Sequence, residues 1–375
     1  MGTPQPELVY QTRHAHKNGG LGQKIYQAAL LASNLGRKIP MLAAEAVNKK
    51  ASQTGASALP EILLNHGPSE FADRFDRMPF WIDHNLGNHR LFELPRLAEL
   101  AKLLWSKADG RILFQEANVP VHSRWDEIGR KALSVMDGIK HIRDSNSLIV
   151  LKRIQADPDY KTLLDQIIRE LSQLTGIELQ RQITWLVGSI FLSSPRSVTP
   201  YHIDHETNFL LQIHGDKDVY ICDANDRKVL TEQEIENYYA GDMSAARYNP
   251  ESEKRAHRFR LKPGNGVHNP SKGPHWVRNG DDYSVSLSIN FCLRKLDREA
   301  RVYQFNHHLR RLKVKPTPPN KSAFKDRLKI IALSDFGGPI KAATHYELLT
   351  RKIKRLDRPF QLAEKAVRRV SKDRT

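Results

Sequence analysis

The sequence predicts a β-barrel or jelly-roll core with α-helices on both sides. Several short runs are rich in β-branched, aromatic and aliphatic residues, and Gly, Pro, Asn or Asp separates them. The turn His214-Gly215-Asp216, for example, joins two of these runs. Short strands divided by turn signals are typical of small barrels and jelly rolls. The predicted strands cover residues 207–213, 217–223, 258–262 and 283–293.

The segments before and after these strands predict helices. Apolar residues recur there every three or four positions, as they do along one face of a helix. Proline marks two of the boundaries: Pro40 follows the first helix, and residues 316–320 separate the barrel's trailing helix from a basic tail. The predicted helices cover residues 21–38, a further stretch to 51, 90–106, 123–140, 158–174, 321–333, 342–356 and 359–371.

These elements divide the chain into three predicted parts. A helical extension covers residues 1–57, and a domain with a helical lead-in covers 58–295, with its barrel core at about 184–293. A helical region covers 296–375. A chain of 375 residues has room for one large domain with appendages or for two domains.

The positive charge of the chain lies in its two ends. The formal net charge is +17, of which residues 296–375 carry +13 and residues 1–50 carry +5, while residues 51–295 carry −1. Basic ends of this kind are compatible with an acidic partner such as nucleic acid, an acidic carrier protein or an anionic membrane. A second interpretation is that these charges lie on the solvated faces of basic helices and bind no partner. We favour this second interpretation because no nucleic-acid motif or aromatic interleaving accompanies the charge.

The composition predicts a cytoplasmic protein without a membrane-spanning helix. The mean hydropathy is −0.55, no run of eighteen apolar residues occurs, and the first residues lack the apolar centre of a signal peptide. Cys222 and Cys292 both fall in strand-like runs. We expect buried thiols in a reducing compartment rather than a disulfide.

A histidine and a carboxylate two positions apart form the strongest chemical signal. His202 and Asp204 follow a strand-like run, and residues two apart on a strand point to the same face. His275 offers a third ligand. Two histidines and one carboxylate with open coordination positions are the ligand set of non-haem iron(II) oxygenases. The His-x-Asp triplet is weak by itself, because a chain with 16 histidines often contains one by chance.

The surroundings of the triplet resemble a known family. The pattern Thr199-Pro200-x-His202-x-Asp204 is similar to that of the JmjC/cupin-type 2-oxoglutarate oxygenases, and among them to the asparaginyl hydroxylase that modifies hypoxia-inducible factor. As in that family, fifteen residues separate His202 from Lys217, and fifteen separate His275 from Asn290. The likeness is detailed over about residues 184–293 and looser back to about 60. Other matching positions are Asn208, Phe209, Gln212, Gly215, Pro263, Gly264, Pro274 and Phe291.

The resemblance implies a fold and a reaction. The fold is a double-stranded β-helix, the jelly-roll barrel of cupins, with flanking helices. The reaction is an iron(II)- and 2-oxoglutarate-dependent oxygenation with molecular oxygen as the oxidant. The iron ligands would be His202, Asp204 and His275. The expected activity is hydroxylation of a protein side chain, an amino acid or another small molecule.

The resemblance also implies four cosubstrate contacts. Lys217, helped by the Thr199 hydroxyl, would hold the far (C5) carboxylate of 2-oxoglutarate. Asn290 would contact the C1 end, and Asn208 would line the same pocket. A lysine inside a barrel needs an anion in any case, because a buried unpaired charge is costly. One departure concerns a tyrosine that the resembled hydroxylase supplies to the C5 carboxylate: residues 147–154 contain none.

Several alternatives remain open at this level. His205 lies an odd number of positions from His202 and should face away from it, whereas His268 is a rival of His275. A non-catalytic cupin that senses a small ligand and binds nucleic acid through the basic ends is the alternative function. In the resembled family the C-terminal helices form a homodimer interface. The C-terminal helices of this chain could therefore bind a second copy, or they could pack on their own chain. Substrate contacts are expected on loops at 224–257 and 266–282, with Trp276 and Arg278 among them.

Overall fold

The structure of the protein is a computed structural model that describes residues 59, 61–65, 68–107, 111–129 and 134–335. Over these ranges it is mainly a β-sheet core with helices packed against it, which confirms the predicted fold class. None of the helices in these ranges is both long and apolar enough to cross a membrane. The predicted helices at 21–38, up to 51, 342–356 and 359–371 lie outside the described residues.

Eleven strands of the described chain form two antiparallel sheets. Their bounds are β1 Phe80–Asp83, β2 Ile112–Glu116, β3 Ser147–Lys152, β4 Ile183–Ser193, β5 Val198–His202, β6 Thr207–His214, β7 Lys217–Ile221, β8 His257–Leu261, β9 Asn265–Asn269, β10 His275–Asn279 and β11 Ser284–Leu293. The larger sheet has the order β1-β9-β6-β11-β4-β3-β2, and the smaller one β5-β10-β7-β8. From β4 to β11 the chain passes back and forth between the sheets, as in a jelly roll.

Alternation along β11 shows how the sequence gives the large sheet its two faces. Val285, Leu287, Ile289 and Phe291 are buried in the main hydrophobic core. The intervening residues Ser284, Ser286, Ser288 and Asn290 point to the other side, towards the space between the sheets. Because the side-chain period of a strand is two, one strand can serve an apolar core and a polar interior at once.

Helices surround the sheets. Their bounds are α1 Pro68–Arg74, α2 Leu94–Trp105, α3 Val135–Lys140, α4 Pro158–Thr175, α5 Leu179–Gln182, α6 Glu232–Tyr239, α7 Pro250–Arg255, α8 Arg294–Arg311 and α9 Ala323–Asp335. Single 3-10 turns occur at Arg90–Phe92, Trp125–Glu127 and Ile154–Ala156.

Helix α4 packs on the outer face of the large sheet. The Asp157 side chain caps its first turn, and Gly176 ends it in the left-handed conformation with φ 68°. Leu163, Leu164 and Ile167 are fully buried on its inner face. At Gly188 on β4 a Cβ atom would lie 2.5 Å from Leu164 Cδ1, so the glycine lets the helix approach the sheet closely. The outer face of the barrel is thereby sealed with apolar contacts.

The predicted strands are confirmed to within two residues, whereas four predictions about other segments were wrong. The loop at 266–282 contains most of β9 and all of β10, and the loop at 224–257 contains α6 and α7. The predicted helix at 123–140 is helical only in a 3-10 turn and in α3. In addition, the lead-in that we expected to be helical contributes β1, β2 and β3. Strands β9 and β10 contain Asn and His because Asn269 and His275 face the cavity and His268 packs among aromatic rings on the other side, and these residue types hide the strands from propensity arguments.

Candidate metal centre and cosubstrate cavity

Two neighbouring strands bring the predicted ligands together. His202 ends β5 and His275 begins β10, and the two residues are partners in the antiparallel register. Their ring centroids lie 4.0 Å apart. Asp204 follows β5 and places Oδ2 3.7 Å from His202 Nε2 and 3.8 Å from His275 Nε2. One donor atom from each of the three residues therefore lies within reach of a single ion.

A β-bulge in β5 turns two side chains into the same space. Thr199 and His202 are three residues apart, so they would face opposite sides of a regular strand. In the structure, His275 pairs with His202 and Val277 pairs with Thr199, so that three steps on β5 oppose two on β10. Bulges of this kind re-aim side chains next to functional sites. The irregularity allows Thr199 to line the same cavity as the two histidines.

Backbone carbonyl groups orient both imidazole rings. His202 Nδ1 lies 2.8 Å from the Pro200 carbonyl oxygen, and His275 Nδ1 lies 2.9 Å from that of Gly273. Because a carbonyl only accepts, each Nδ1 carries the proton and each Nε2 keeps a lone pair. The Nε2 lone pairs face Asp204. A metal ligand needs this tautomer, with the proton on Nδ1 and Nε2 free to bind.

Burial sets the charge of the three ligands. It lowers the pKa of His202 and of His275 to about 4, so both rings are neutral near pH 7. Burial also raises the pKa of Asp204, while His275 and Lys152 oppose this effect. Among the residues that the structure describes, no lysine or arginine forms an ion pair with the Asp204 carboxylate, and its close neighbours are the two neutral imidazoles. A divalent cation would supply a balancing charge, so the donor set fits iron(II) or a similar ion.

A cavity of about 370 Å³ extends from the ligand cluster between the two sheets. All four predicted cosubstrate residues line it: Thr199, Asn208, Lys217 and Asn290. Lys217 is only 4% exposed, and burial lowers its pKa from 10.5 to about 7. Among the described residues, no hydrogen bond or ion pair reaches its ammonium group. The cavity thus contains a cation that lacks a protein anion.

The two asparagines belong to one polar layer of the larger sheet. Asn208 on β6 and Asn290 on β11 are register partners. Asn208 Nδ2 donates to Asn290 Oδ1 at 2.7 Å and lies 2.7 Å from Ser288 Oγ. The layer continues to Asn269 on β9, whose side-chain amide lies 3.0 Å from His275 Nδ1. Because that nitrogen carries the proton, the amide turns its Oδ1 towards the ring. The asparagines are therefore held near the ligand cluster.

The middle of the chain matches a known family, the cupin-like domain, over residues 133–294. The match includes β3 to β11 and all of the predicted ligand and cosubstrate residues. The sequence matches no curated protein.

Solved structures resemble the chain weakly. Escherichia coli ribosomal oxygenase YcfD is 15% identical, with 81% of this chain and 68% of that chain covered and a TM-score of 0.41. YcfD in complex with cobalt and 2-oxoglutarate gives 16% identity, 80% and 67% coverage and a TM-score of 0.42. The DMSP lyase DddQ from Ruegeria pomeroyi DSS-3 gives 16% identity, 28% and 38% coverage and a TM-score of 0.19. Similarities at this level assign no function to the chain.

The two rival histidines, His205 and His268, point elsewhere. His205 faces away from the cavity, with Nδ1 2.7 Å from the Tyr239 hydroxyl and Nε2 3.1 Å from Asp297 Oδ1. His268 is fully buried among aromatic rings, including Phe209 at 4.5 Å, and Nε2 accepts the backbone N–H of Asp76. Both have the hydrogen-bond partners of structural histidines. Only His275 joins His202 and Asp204.

Several residues that line the cavity were missed in the sequence. Lys152 on β3 and Ser189 on β4 face the interior, and Trp125 packs its edge against the His202 ring at 5.1 Å between centroids. Lys152 ends an apolar run, a signal that could have placed it beside the barrel interior. Trp276 is fully buried and stacks on Tyr220 at 4.7 Å, so the expected substrate contact is a packing residue.

Proposed function

We propose that the protein is an iron(II)- and 2-oxoglutarate-dependent oxygenase that acts as a hydroxylase. The observation that carries this proposal is the pairing of two features in one cavity. Two neutral histidines and a carboxylate converge near one end, and a buried lysine without a protein anion lies further along. 2-Oxoglutarate has a chelating keto acid at one end and a carboxylate at the other, so it complements both features.

The residues would share the work of binding and orientation. His202, Asp204 and His275 would hold iron(II) on one face and leave the opposite positions open. Lys217 and Thr199 would hold the C5 carboxylate, and the Asn208–Asn290 layer would contact the C1 end. When bound, the metal and cosubstrate would use O₂ to convert a substrate C–H group to C–OH, with release of succinate and CO₂. The apolar walls of the cavity would exclude bulk water from this step.

The strands fix these positions relative to one another. Lys217 pairs with Asn279 at the far end of β10, whereas His275, at the near end, pairs with Ile221. The separation is four residues, or about 13 Å of strand at about 3.3 Å per residue. A lysine stem and an extended dicarboxylate fill this distance. At this distance from the ligand cluster, Lys217 is placed to hold the C5 carboxylate while the keto acid lies with His202, Asp204 and His275.

The direct test is an anaerobic titration of the full chain with iron(II) and 2-oxoglutarate, followed by the weak visible charge-transfer band of the chelate. We expect a band only when both are present, and its loss in His275→Ala. His141→Ala, which removes an exposed histidine, is the matched control and should keep the band. No band from folded, metal-saturated protein would contradict the proposal. That result would favour the non-catalytic ligand sensor and would justify a nucleic-acid binding assay of the basic ends.

We further propose that the protein forms a homodimer through its C-terminal helices. Helix α9 exposes three apolar side chains on one face, namely Phe324 at 72%, Leu328 at 51% and Ile331 at 45%. Exposed apolar patches of this kind commonly mark interaction sites. Light scattering after gel filtration should show a dimer for the natural chain and a monomer for Leu328→Asp. A monomeric natural chain would instead favour cover by residues of the same chain.

We also propose a cytoplasmic location. Cys222 and Cys292 are free and buried, and burial raises the pKa of both thiols. Unpaired thiols of this kind suit a reducing compartment. Cell fractionation with a compartment-specific thiol probe would test the proposal, and recovery of the protein from an oxidising compartment would contradict it.

A further inference from the structure

The cavity contains a second lysine that the contacts proposed above do not use. Lys152 is the last residue of β3, and it lines the cavity together with Val150. Its side chain is accessible to solvent. Among the described residues, it makes no hydrogen bond and no ion pair. The surrounding protein lowers the pKa of Lys152, and the Asp204 and Glu206 carboxylates partly oppose this effect.

The strand register places Lys152 at the metal end of the cavity. Lys152 pairs with Ser189 on β4, and Ser189 pairs with Ser288 on β11. Ser288 is the serine whose hydroxyl lies 2.7 Å from Asn208 Nδ2. Lys152 is therefore two residues along the strands, or one inward-facing position, from the asparagine layer beside the ligand cluster. Its electrostatic coupling to Asp204 is consistent with this position.

The two lysines consequently serve different ends of the cavity. Lys217 lies four residues along the strand pair from the level of His275, where the far carboxylate of the cosubstrate would end. A single molecule of 2-oxoglutarate would satisfy Lys217 through its C5 carboxylate, while its C1 end would lie with His202, Asp204 and His275. Lys152 would then remain without a cosubstrate contact, on the side of the cavity where the ligand residues lie.

The walls of the cavity are mainly apolar and aromatic, and the carboxylates that act on Lys152 are Asp204, which a bound metal would neutralise, and Glu206. An anion that enters between apolar walls is screened less than in water, which strengthens its attraction to a cation. The apolar residues that line the cavity include Leu113, Trp125, Val150, Trp185 and Phe191.

We propose that Lys152 is the substrate-binding cation, and that the substrate carries a carboxylate or phosphate group beside an apolar portion that enters the cavity. The inference rests on the proposed oxygenase function, and it specifies the class of substrate. Lys152 binds the anionic group and thereby directs a neighbouring C–H bond towards the metal.

The test uses the full chain loaded with manganese(II) and 2-oxoglutarate without turnover. Paramagnetic relaxation of probe protons by the metal reports binding close to it. The probes are two matched pairs: N-acetyl-L-leucine with its amide, and n-butyl phosphate with n-butanol. We expect the anionic member of at least one pair to bind about tenfold more tightly than its neutral match, as for one charge-assisted contact. The pair that shows the preference identifies carboxylate or phosphate as the group.

Three variants make the test specific. Lys152→Met should abolish the preference for the anion, and Lys152→Arg should keep it. Lys161→Met, which alters an exposed lysine on α4, should behave as the natural chain does. The affinity of the iron(II) form for 2-oxoglutarate should change less than about twofold in Lys152→Met. This result would also show that the variant keeps an intact metal and cosubstrate site.

Other results would overturn the inference. The inference is overturned if the natural chain relaxes the protons of both members of each pair equally, or relaxes neither. A preference that persists in Lys152→Met would exclude Lys152 as its source. A loss of about tenfold in 2-oxoglutarate affinity would make Lys152 a cosubstrate ligand instead. The charge-transfer band of the natural chain reports the proposed function independently, so its failure can be told apart from these outcomes.

Discussion

Replacing Lys217 by methionine should stabilise the ligand-free protein and remove its cosubstrate site. Methionine is apolar and unbranched, with a length close to that of the lysine stem, so it can occupy the same space. In the natural chain, burial lowers the pKa of Lys217 from 10.5 to about 7. At about 1.4 kcal/mol per pKa unit, this corresponds to a cost of roughly 5 kcal/mol for the charged form.

The sign of the pH dependence follows from where the proton is held. Below about pH 7 both the folded and the unfolded chain carry the proton on Lys217, and the full cost opposes folding. Between about pH 7 and 10.5 the unfolded state holds more of the proton than the folded state, so this contribution makes the natural chain more stable as pH rises. Above about 10.5 both states are neutral and the cost disappears.

The expected magnitude is smaller than the full electrostatic cost. Replacements of buried charges by apolar side chains of similar volume commonly stabilise by about 1–4 kcal/mol, because solvent and structure relax around the charge. We therefore expect Lys217→Met to raise the free energy of unfolding at pH 7 by about 1–3 kcal/mol. The gain over the natural chain should shrink as the pH approaches 10. Saturating 2-oxoglutarate with metal should reverse the order, since a ligand at about 100 times its Kd adds about 2.7 kcal/mol.

The assay is denaturant unfolding of both proteins at pH 7 and pH 10, with and without manganese(II) and 2-oxoglutarate. Lys161→Met controls for the substitution itself, because Lys161 is exposed on α4. A variant that is less stable than the natural chain at pH 7, with no pH-dependent difference, would refute the buried-charge argument. An equal response of the variant to 2-oxoglutarate would remove Lys217 from the cosubstrate site.

Four further perturbations test the site and its frame. His202→Ala and Asp204→Ala should each abolish metal binding in elemental analysis while circular dichroism stays unchanged, because both side chains face the cavity; retained metal would remove that residue from the ligand set. His205→Ala should keep the metal but lower the free energy of unfolding by about 2–4 kcal/mol, since it removes two buried hydrogen bonds; an unchanged stability would contradict this. Gly215→Ala should lower the free energy of unfolding by at least about 1 kcal/mol, because φ is 70° and the new Cβ would lie 2.2 Å from a backbone oxygen. An unchanged denaturation midpoint would refute this strain. The two histidine ligands should lose a metal to protons only towards pH 4, because burial lowers the pKa of both rings to about 4, whereas burial raises the pKa of Asp204 and so makes this carboxylate the first ligand to weaken as the pH falls. An NMR titration of the two rings in the metal-free protein with midpoints near pH 6.5 would show that the rings are solvated.

The parts of the fold that could be predicted are those in which local pattern and tertiary environment agree. Helix α4 carries a capping aspartate, a proline in its first turn, an apolar stripe and a terminal glycine, and its predicted bounds differ from the observed ones by one residue. Strand β11 alternates between core and interior over its full length, so its period is visible. Strands β9 and β10 could not be found in this way, because the interior they line is polar and their Asn, Gly and His residues favour loops.

In the candidate site, some residues could be predicted from their spacing in the sequence, whereas others are placed there only by the strand register. His202 and Asp204 followed from residue types and their separation, His275 was preferred to His268 through the resemblance, and the structure places the donor atoms of all three together. No spacing rule could bring Thr199 into the same cavity, since a regular strand would turn it away and only the bulge in β5 reverses that. Lys152 is a still clearer case. It lies fifty residues before the first ligand in sequence, and only the continuous pairing of β3, β4 and β11 places it beside the metal end. Residues that choose a substrate are placed by such long-range pairing, which explains why the sequence could indicate the chemistry of this cavity before it could indicate what the cavity binds.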